Sequence, residues 1–226
     1  MGPALLAVAH GTRSPRGRAQ IHGLVAEVAR RRPGLDVRAC YVDVQRPRLA
    51  DEVTRVDGPA VAVPLLLTSG YHVRVDIPVG LSGTAAVAAA PLGPDRRLVD
   101  LLARSVRAAG PADAVVLAAA GSTDPRARAE VSTVARSLSV LLSAPVRVGY
   151  AASAAPSVPD VVAGLRARGA RRLTIAAYLL VDGLFYQSLH QVGADAVTPS
   201  LVTQPGIVDL VLSRYDAALP AAILTG

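Results

Sequence analysis

The chain has no lysine and no tryptophan, only one cysteine, and aromatic residues at just 3% of its 226 positions. Each scarcity excludes something. The lone cysteine, Cys40, rules out an intrachain disulfide framework, a CxxC redox pair and a cysteine-held iron–sulfur cluster. A bound metal would therefore rely on histidine and carboxylate. No uninterrupted apolar run approaches the roughly 18 residues needed to span a bilayer, and the first residues lack a basic segment leading into a long apolar one. The expectation is a cytoplasmic protein with no membrane partner. The net charge of +7 is carried on the basic side entirely by arginine. Such a balance would suit a nucleic-acid binder, but the arginines are scattered, aromatics are few and no nucleic-acid motif appears, so nucleic acid is not expected as a partner. Arginine is also the side chain best shaped for forked contacts to carboxylates and phosphates.

What the chain has in quantity is apolar sequence, 51% of the total, arranged in short alanine-, valine- and leucine-rich runs that alternate with amphipathic segments. That alternation predicts parallel strands joined by crossover helices. "ALLAVAH" reads as a strand and "RGRAQIHGLVAEVARRR" as the helix after it; "LDVRACYVD" and "RPRLADEVTRV" form the next such pair. "PAVAVPLLL" reads as a buried third strand, "TSGYHVRVDIPVGLSG" as a loop at its carboxyl end, "TAAVAAAPLG" as a fourth strand and "DRRLVDLLARSVRAAG" as a helix.

After "GPAD" the order begins again. "DAVVLAAAGSTDPRARAEV" repeats "PALLAVAHGTRSPRGRAQI", and "RLTIAAYLLVDGLF" repeats "AVAVPLLLTSGYH". The offsets are 110 from Gly11 to Gly121, 109 from Pro47 to Pro156, 113 from Gly70 to Gly183 and 109 from Asp100 to Asp209. The predicted fold class is α/β: two tandem pseudo-repeated three-layer domains, residues 1–110 and 111–226, each a small parallel sheet flanked by helices. Ligands of such sheets bind beyond the carboxyl ends of the strands, and a tandem pair adds a cleft between the halves.

Three polar positions of the first half lose their chemistry in the second: His10 becomes Ala120, Asp43 becomes Ala152 and His72 becomes Phe185. The loop-shaping glycines and prolines persist. Two histidines and a carboxylate at strand ends resemble a three-ligand metal site with a vacant position, and near neutral pH imidazole can bind a divalent cation or accept a proton.

"AHGTRSPRG", "VDVQRP" and "VPLLLTSGYHVRVDIP" together resemble the sirohydrochlorin chelatases and small-type cobaltochelatases, relatives of ferrochelatase, across essentially the whole chain. The resemblance implies an enzyme that inserts a divalent metal into sirohydrochlorin or a related polycarboxylate tetrapyrrole, in sirohaem or cobalamin biosynthesis. His10 and His72 correspond to the family's paired active-site histidines. Asp43 stands where the family usually has glutamate. The metal is a substrate, Fe2+ or Co2+ with Ni2+ also compatible, and no organic cofactor is implied. Arg13 and Arg74, flanking the histidines, are expected to meet substrate carboxylates, and Phe185 with Leu184 to offer apolar contact to the ring from the degenerate second half. A non-catalytic protein that binds and delivers metal or tetrapyrrole is the alternative, as a monomer or homodimer in either case. Ser69 and Ser122 lie in no GxSxG motif, His22 and His190 read as surface or boundary residues, and Asp76 and Asp182 as loop-shaping residues, Asp76 with a lesser claim to carrying protons or metal.

Overall fold

Apolar runs without polar interruption suit strands covered on both faces, and the computed structural model, which describes residues 2–225, uses them so. Strands β1 (Ala4–Ala9), β2 (Val37–Tyr41), β3 (Ala60–Pro64) and β4 (Ala86–Ala88) form a parallel sheet in the order β2-β1-β3-β4. Strands β5 (Ala114–Ala119), β6 (Val146–Tyr150), β7 (Leu173–Tyr178) and β8 (Ala196–Val197) repeat it as β6-β5-β7-β8. In the first sheet Val8 sits opposite Cys40 on one side and Pro64 on the other; in the second, Ala118 sits opposite Gly149 and Ala177.

The helices are α1 (Pro15–Arg31), α2 (Leu49–Val53), α3 (Ile77–Leu81), α4 (Arg96–Ala108), α5 (Pro125–Leu142), α6 (Val158–Ala167), α7 (Leu184–Leu189) and α8 (Ile207–Thr225). The first helix of each copy starts on the same signal. Ser14 accepts from the Gly17 N–H at 3.3 Å ahead of Pro15, and Asp124 accepts from the Arg126 N–H at 2.9 Å ahead of Pro125. These are capping oxygens followed by a residue whose missing N–H costs nothing there.

One face of the first sheet buries Leu6, Val8, Ala60 and Ala62 against Leu49 and Val53 of α2 and Ile77 and Leu81 of α3. On the opposite face α1 packs on β2, and α8 on β3 and β4. In the second sheet Val116, Ala118, Ile175 and Ala177 bury against Val158 and Val162 of α6 and Leu189 of α7, while α5 packs on β6 and α4 on β7. Both sheets are therefore middle layers of three-layer α/β units, as the strand pattern predicts.

The compact units differ from the two sequence halves. One comprises Met1–Gly93 with Pro205–Gly226, the other Pro94–Gln204, instead of residues 1–110 and 111–226. The last helix of each half accounts for the difference. Helix α4 turns Leu98, Leu102 and Val106 inward and packs on α5 and β7. Helix α8 is tied to the first unit by Arg31 to Asp209 at 2.8 Å, by the two-pronged Arg32–Asp216 pair at 2.5 and 2.9 Å, and by Arg214 donating to the carbonyls of Pro91 and Leu92 at 2.8 and 3.2 Å. The buried Tyr215 hydroxyl also donates to the Pro3 carbonyl.

Two local readings are corrected. The segment expected as a loop after β3 is helical, with a π-turn over His72–Asp76 running into α3. Its glycines lie before the turn and near its end, and Pro78 falls in the first turn of α3, where proline is tolerated. Helix α2 is also shorter than expected: residues 43–48 form an irregular turn that contains Val44 at φ +57. Among the described residues no helix is long and apolar enough to cross a membrane.

Candidate functional site

The sheet order decides what can meet at its carboxyl edge. β1 lies between β2 and β3, so His10, just beyond β1, is adjacent both to the β2 end with Asp43 and to the β3 end with His72. Asp43 and His72, by contrast, follow strands two positions apart, on the order of 10 Å at ordinary strand spacing.

Backbone contacts fix His10. The Asp43 N–H donates to the His10 carbonyl at 3.1 Å, and the Thr12 N–H donates to Gln45 Oε1 at 2.7 Å. Between them Gly11 has φ +96, and a Cβ there would lie 2.6 Å from the Asp43 carbonyl oxygen, a close approach that requires glycine. His72 opens the π-turn, in which the Ile77 N–H reaches back five residues to the His72 carbonyl. Across that turn Asp76 Oδ2 lies 2.5 Å from His72 Nδ1.

The two imidazoles meet edge to face, with ring centroids 4.7 Å apart and planes at 82°. His10 Nδ1 lies 3.2 Å from the Gly11 carbonyl. A carbonyl and a carboxylate only accept, so each contact calls for an Nδ1–H and leaves the Nε2 lone pair for another partner. The His72 side chain is 35% exposed and His10 is exposed, so both rings reach solvent.

The three-ligand set expected of His10, His72 and Asp43 does not assemble. Among the described residues no three histidine, cysteine or acidic side chains converge as a metal-holding group. Asp43 turns instead to the Val44 N–H and to Arg48 Nη1 at 3.4 Å, and these contacts, the Val44 hydrogen bond foremost, hold its carboxyl below the usual range, with His10 contributing. These contacts tie it into the loop and leave its negative charge near His10.

Arg13 and Arg74 are exposed beside their histidines in sequence, and the Arg13 carbonyl accepts from Arg18 at 3.1 Å. Phe185 and Leu184 are exposed in the first turn of α7, in the second unit. His22 is exposed on α1, and His190 ends α7 with its ring on Tyr186 at 5.2 Å. Asp182 is buried. Asp76, expected as a loop-shaping residue with a lesser claim to carrying protons or metal, lies against His72 Nδ1. A signal for it was available, because at the offset of 113 that relates His72 to Phe185, Asp76 aligns with Leu189 and its acidity is lost with the histidine.

A family model described as CbiX matches residues 4–109 and again residues 114–218. The sirohydrochlorin cobaltochelatase of Methanosarcina barkeri is 30% identical over 123 residues, covering 46% of this chain and 95% of that protein. The sirohydrochlorin cobaltochelatase of Sulfolobus acidocaldarius is 29% identical over 106 residues, covering 43% and 85%. Among solved structures, SirB from Bacillus subtilis with Fe3+ shares the fold at a TM-score of 0.81 and 20% identity, over 97% of this chain and 96% of that one. CbiX, described as the terminal enzyme for biosynthesis of sirohaem in denitrifying bacteria, shares it at 0.71 and 24%, over 96% and 99%. With its model matched twice and nearly end to end, this chain belongs to the CbiX family.

Proposed function

We propose that the protein inserts a divalent metal, Fe2+ or Co2+, into sirohydrochlorin, with His10 and His72 as the residues that hold the ion. The reading rests on one observation, the pair of imidazoles 4.7 Å apart, each with its Nδ1 against an acceptor, the Gly11 carbonyl oxygen or Asp76 Oδ2. The names carried by the CbiX relatives supply the substrate.

The chemistry exchanges one metal dication for two protons: the ion loses its imidazole and water ligands, gains four ring nitrogens, and two pyrrole N–H protons leave. Two neutral nitrogen donors grip a dication less firmly than a closed four-ligand site, which suits transfer. As the metal departs, each vacated Nε2 lone pair becomes available to a leaving proton, so the group that delivers the ion serves next as base. Asp43 and Asp76 add negative charge that favours the ion's approach. Arg13 and Arg74 are assigned to the substrate's carboxylates, which arginine meets with forked hydrogen bonds.

The test is to mix the purified protein with sirohydrochlorin and Co2+ or Fe2+ and follow the tetrapyrrole absorbance against the uncatalysed rate. Catalysis with multiple turnovers is expected, and His10→Ala and His72→Ala are each expected to lose most of it while remaining folded by circular dichroism. Binding without acceleration would replace the chelatase with a delivery protein, and near-normal rates in both variants would remove the proposed site.

A further inference from the structure

The two imidazoles differ in what stands behind them. His10 Nδ1 faces the carbonyl of its own neighbour, Gly11, at 3.2 Å, a neutral acceptor. His72 Nδ1 faces the Asp76 carboxylate at 2.5 Å, on a side chain only 33% exposed. A carboxylate accepting from Nδ1–H fixes ring orientation and tautomer and raises the basicity of the far nitrogen, more than a carbonyl does. The turn itself places the acceptor. His72 and Asp76, four residues apart, share one face once the segment turns helically, and the contact through Nδ1 leaves the imidazole edge with Nε2 turned away from the carboxylate. The second copy has neither partner, with Phe185 and Leu189 at these positions on the regular helix α7.

We propose that Asp76 is a positioning residue: it holds His72 as the Nδ1–H tautomer and makes it the anchoring ligand of the pair, leaving His10 as the ligand that yields first. The inference rests on the chelatase reading for its purpose, but its test needs no tetrapyrrole. An unequal pair suits a metal that must be captured and then surrendered, since the weaker ligand opens a coordination position while the stronger still holds the ion.

The experiment uses the full chain. Long-range nitrogen–proton NMR correlations at about pH 8, above the ordinary histidine range, report the tautomer of each imidazole. Titration with Co2+ alone, followed by its visible absorption, reports affinity. Wild type is expected to show His72 as Nδ1–H. Asp76→Ala and the near-isosteric Asp76→Leu are expected to admit the Nε2–H form and to bind Co2+ about 10- to 100-fold more weakly, the range for loss of an outer partner of a metal-bound histidine. Asp76→Asn, whose amide oxygen still accepts from Nδ1–H, is expected to keep the tautomer and to lose less affinity. His72→Ala is expected to weaken Co2+ binding more than His10→Ala. An unchanged tautomer or an unchanged affinity in a folded acceptor-less variant overturns the proposal, as does Asp76→Asn behaving like Asp76→Ala or His10→Ala weakening binding as much as His72→Ala. If these results hold while sirohydrochlorin metalation is not accelerated, the chelatase reading falls and the role of Asp76 stands.

Discussion

Replacing Gly11 by alanine should separate two costs that usually come together. The first is conformational: at φ +96 an L-residue is disfavoured by about 1–2 kcal/mol. The second is contact: the new Cβ would lie 2.6 Å from the Asp43 carbonyl oxygen, 3.1 Å from Val44 Cβ and 3.2 Å from the Gln45 nitrogen. Two of those atoms are backbone and cannot rotate away, so relief requires moving the turn, at an overpacking cost of about 1–3 kcal/mol. Gly58, in the same unit, supplies the control, because it has φ +102 with nothing within 4 Å of an added Cβ. Gly58→Ala should cost about 1–2 kcal/mol by conformation alone, and Gly11→Ala about 2–5 kcal/mol. For a chain of this size that corresponds to melting-point losses of about 2–8 °C and about 4–20 °C. Thermal melts and guanidinium titrations read the stabilities, and a Co2+ titration reads the site. Shifting the Asp43 turn disturbs the bonds that place His10, namely Asp43 N–H to the His10 carbonyl at 3.1 Å and Thr12 N–H to Gln45 at 2.7 Å. Co2+ affinity should therefore fall in Gly11→Ala and not in Gly58→Ala. Equal losses of stability in the two variants, or unaltered Co2+ binding by Gly11→Ala, would refute the reasoning.

Asp43→Ala should keep most of the Co2+ affinity, because this carboxylate faces the Val44 N–H and Arg48 and completes no three-ligand group among the described residues; a loss matching that of His10→Ala would restore it as a ligand. Burial, with Glu52 adding, pushes the Cys40 thiol up to about 12, so a disulfide reagent should leave the folded chain unmodified and react fully in guanidinium. The sign for stability follows from the same shift. The folded state holds this proton more tightly than the unfolded chain, so the contribution is complete below the ordinary thiol value of about 8.5 and is lost as pH rises towards 12. Denaturant titrations across that window should show a shallower alkaline decline in Cys40→Ala than in wild type; parallel curves would sink the assignment.

The strands were legible because a parallel strand buried on both faces reads as a continuous apolar run, and "ALLAVA" and "AVVLAA" meet no other structure of comparable fit. His10 and His72 were legible as a pair because the second copy lacks both. The exchange of α4 and α8 between units was not, since an amphipathic helix displays an apolar face without naming the sheet it will cover. The separation of Asp43 from His72 was hidden for a related reason. Chain order puts it between the histidines, whereas sheet order puts His10 in the middle and leaves Asp43 on the far side. Asp76 was obscured by glycines and a proline that suggested a loop, although a histidine and a carboxylate four residues apart become neighbours once the segment turns helically.

The two copies also show which features belong to the scaffold and which to the chemistry. Val44 and Ser153 both have positive φ, +57 and +54, and a Cβ on Gly11 or on Gly121 would collide with the carbonyl oxygen of Asp43 or Ala152, at 2.6 and 1.7 Å. The same backbone bond crosses each turn, Asp43 N–H to the His10 carbonyl at 3.1 Å and Ala152 N–H to the Ala120 carbonyl at 2.9 Å. This costly conformation persists where alanines have replaced the imidazole and the carboxylate. It therefore serves to close the strand ends, and the left-handed Val44 is not strain held in reserve for metal transfer. At the site, what distinguishes the first copy is a small set of side chains on that shared frame, His72 and Asp76 among them on a π-turn where the second copy has Phe185 and Leu189 on a regular helix. Placing histidines at positions 120 and 185 would consequently recreate two imidazoles without the carboxylate that makes one of them the anchor.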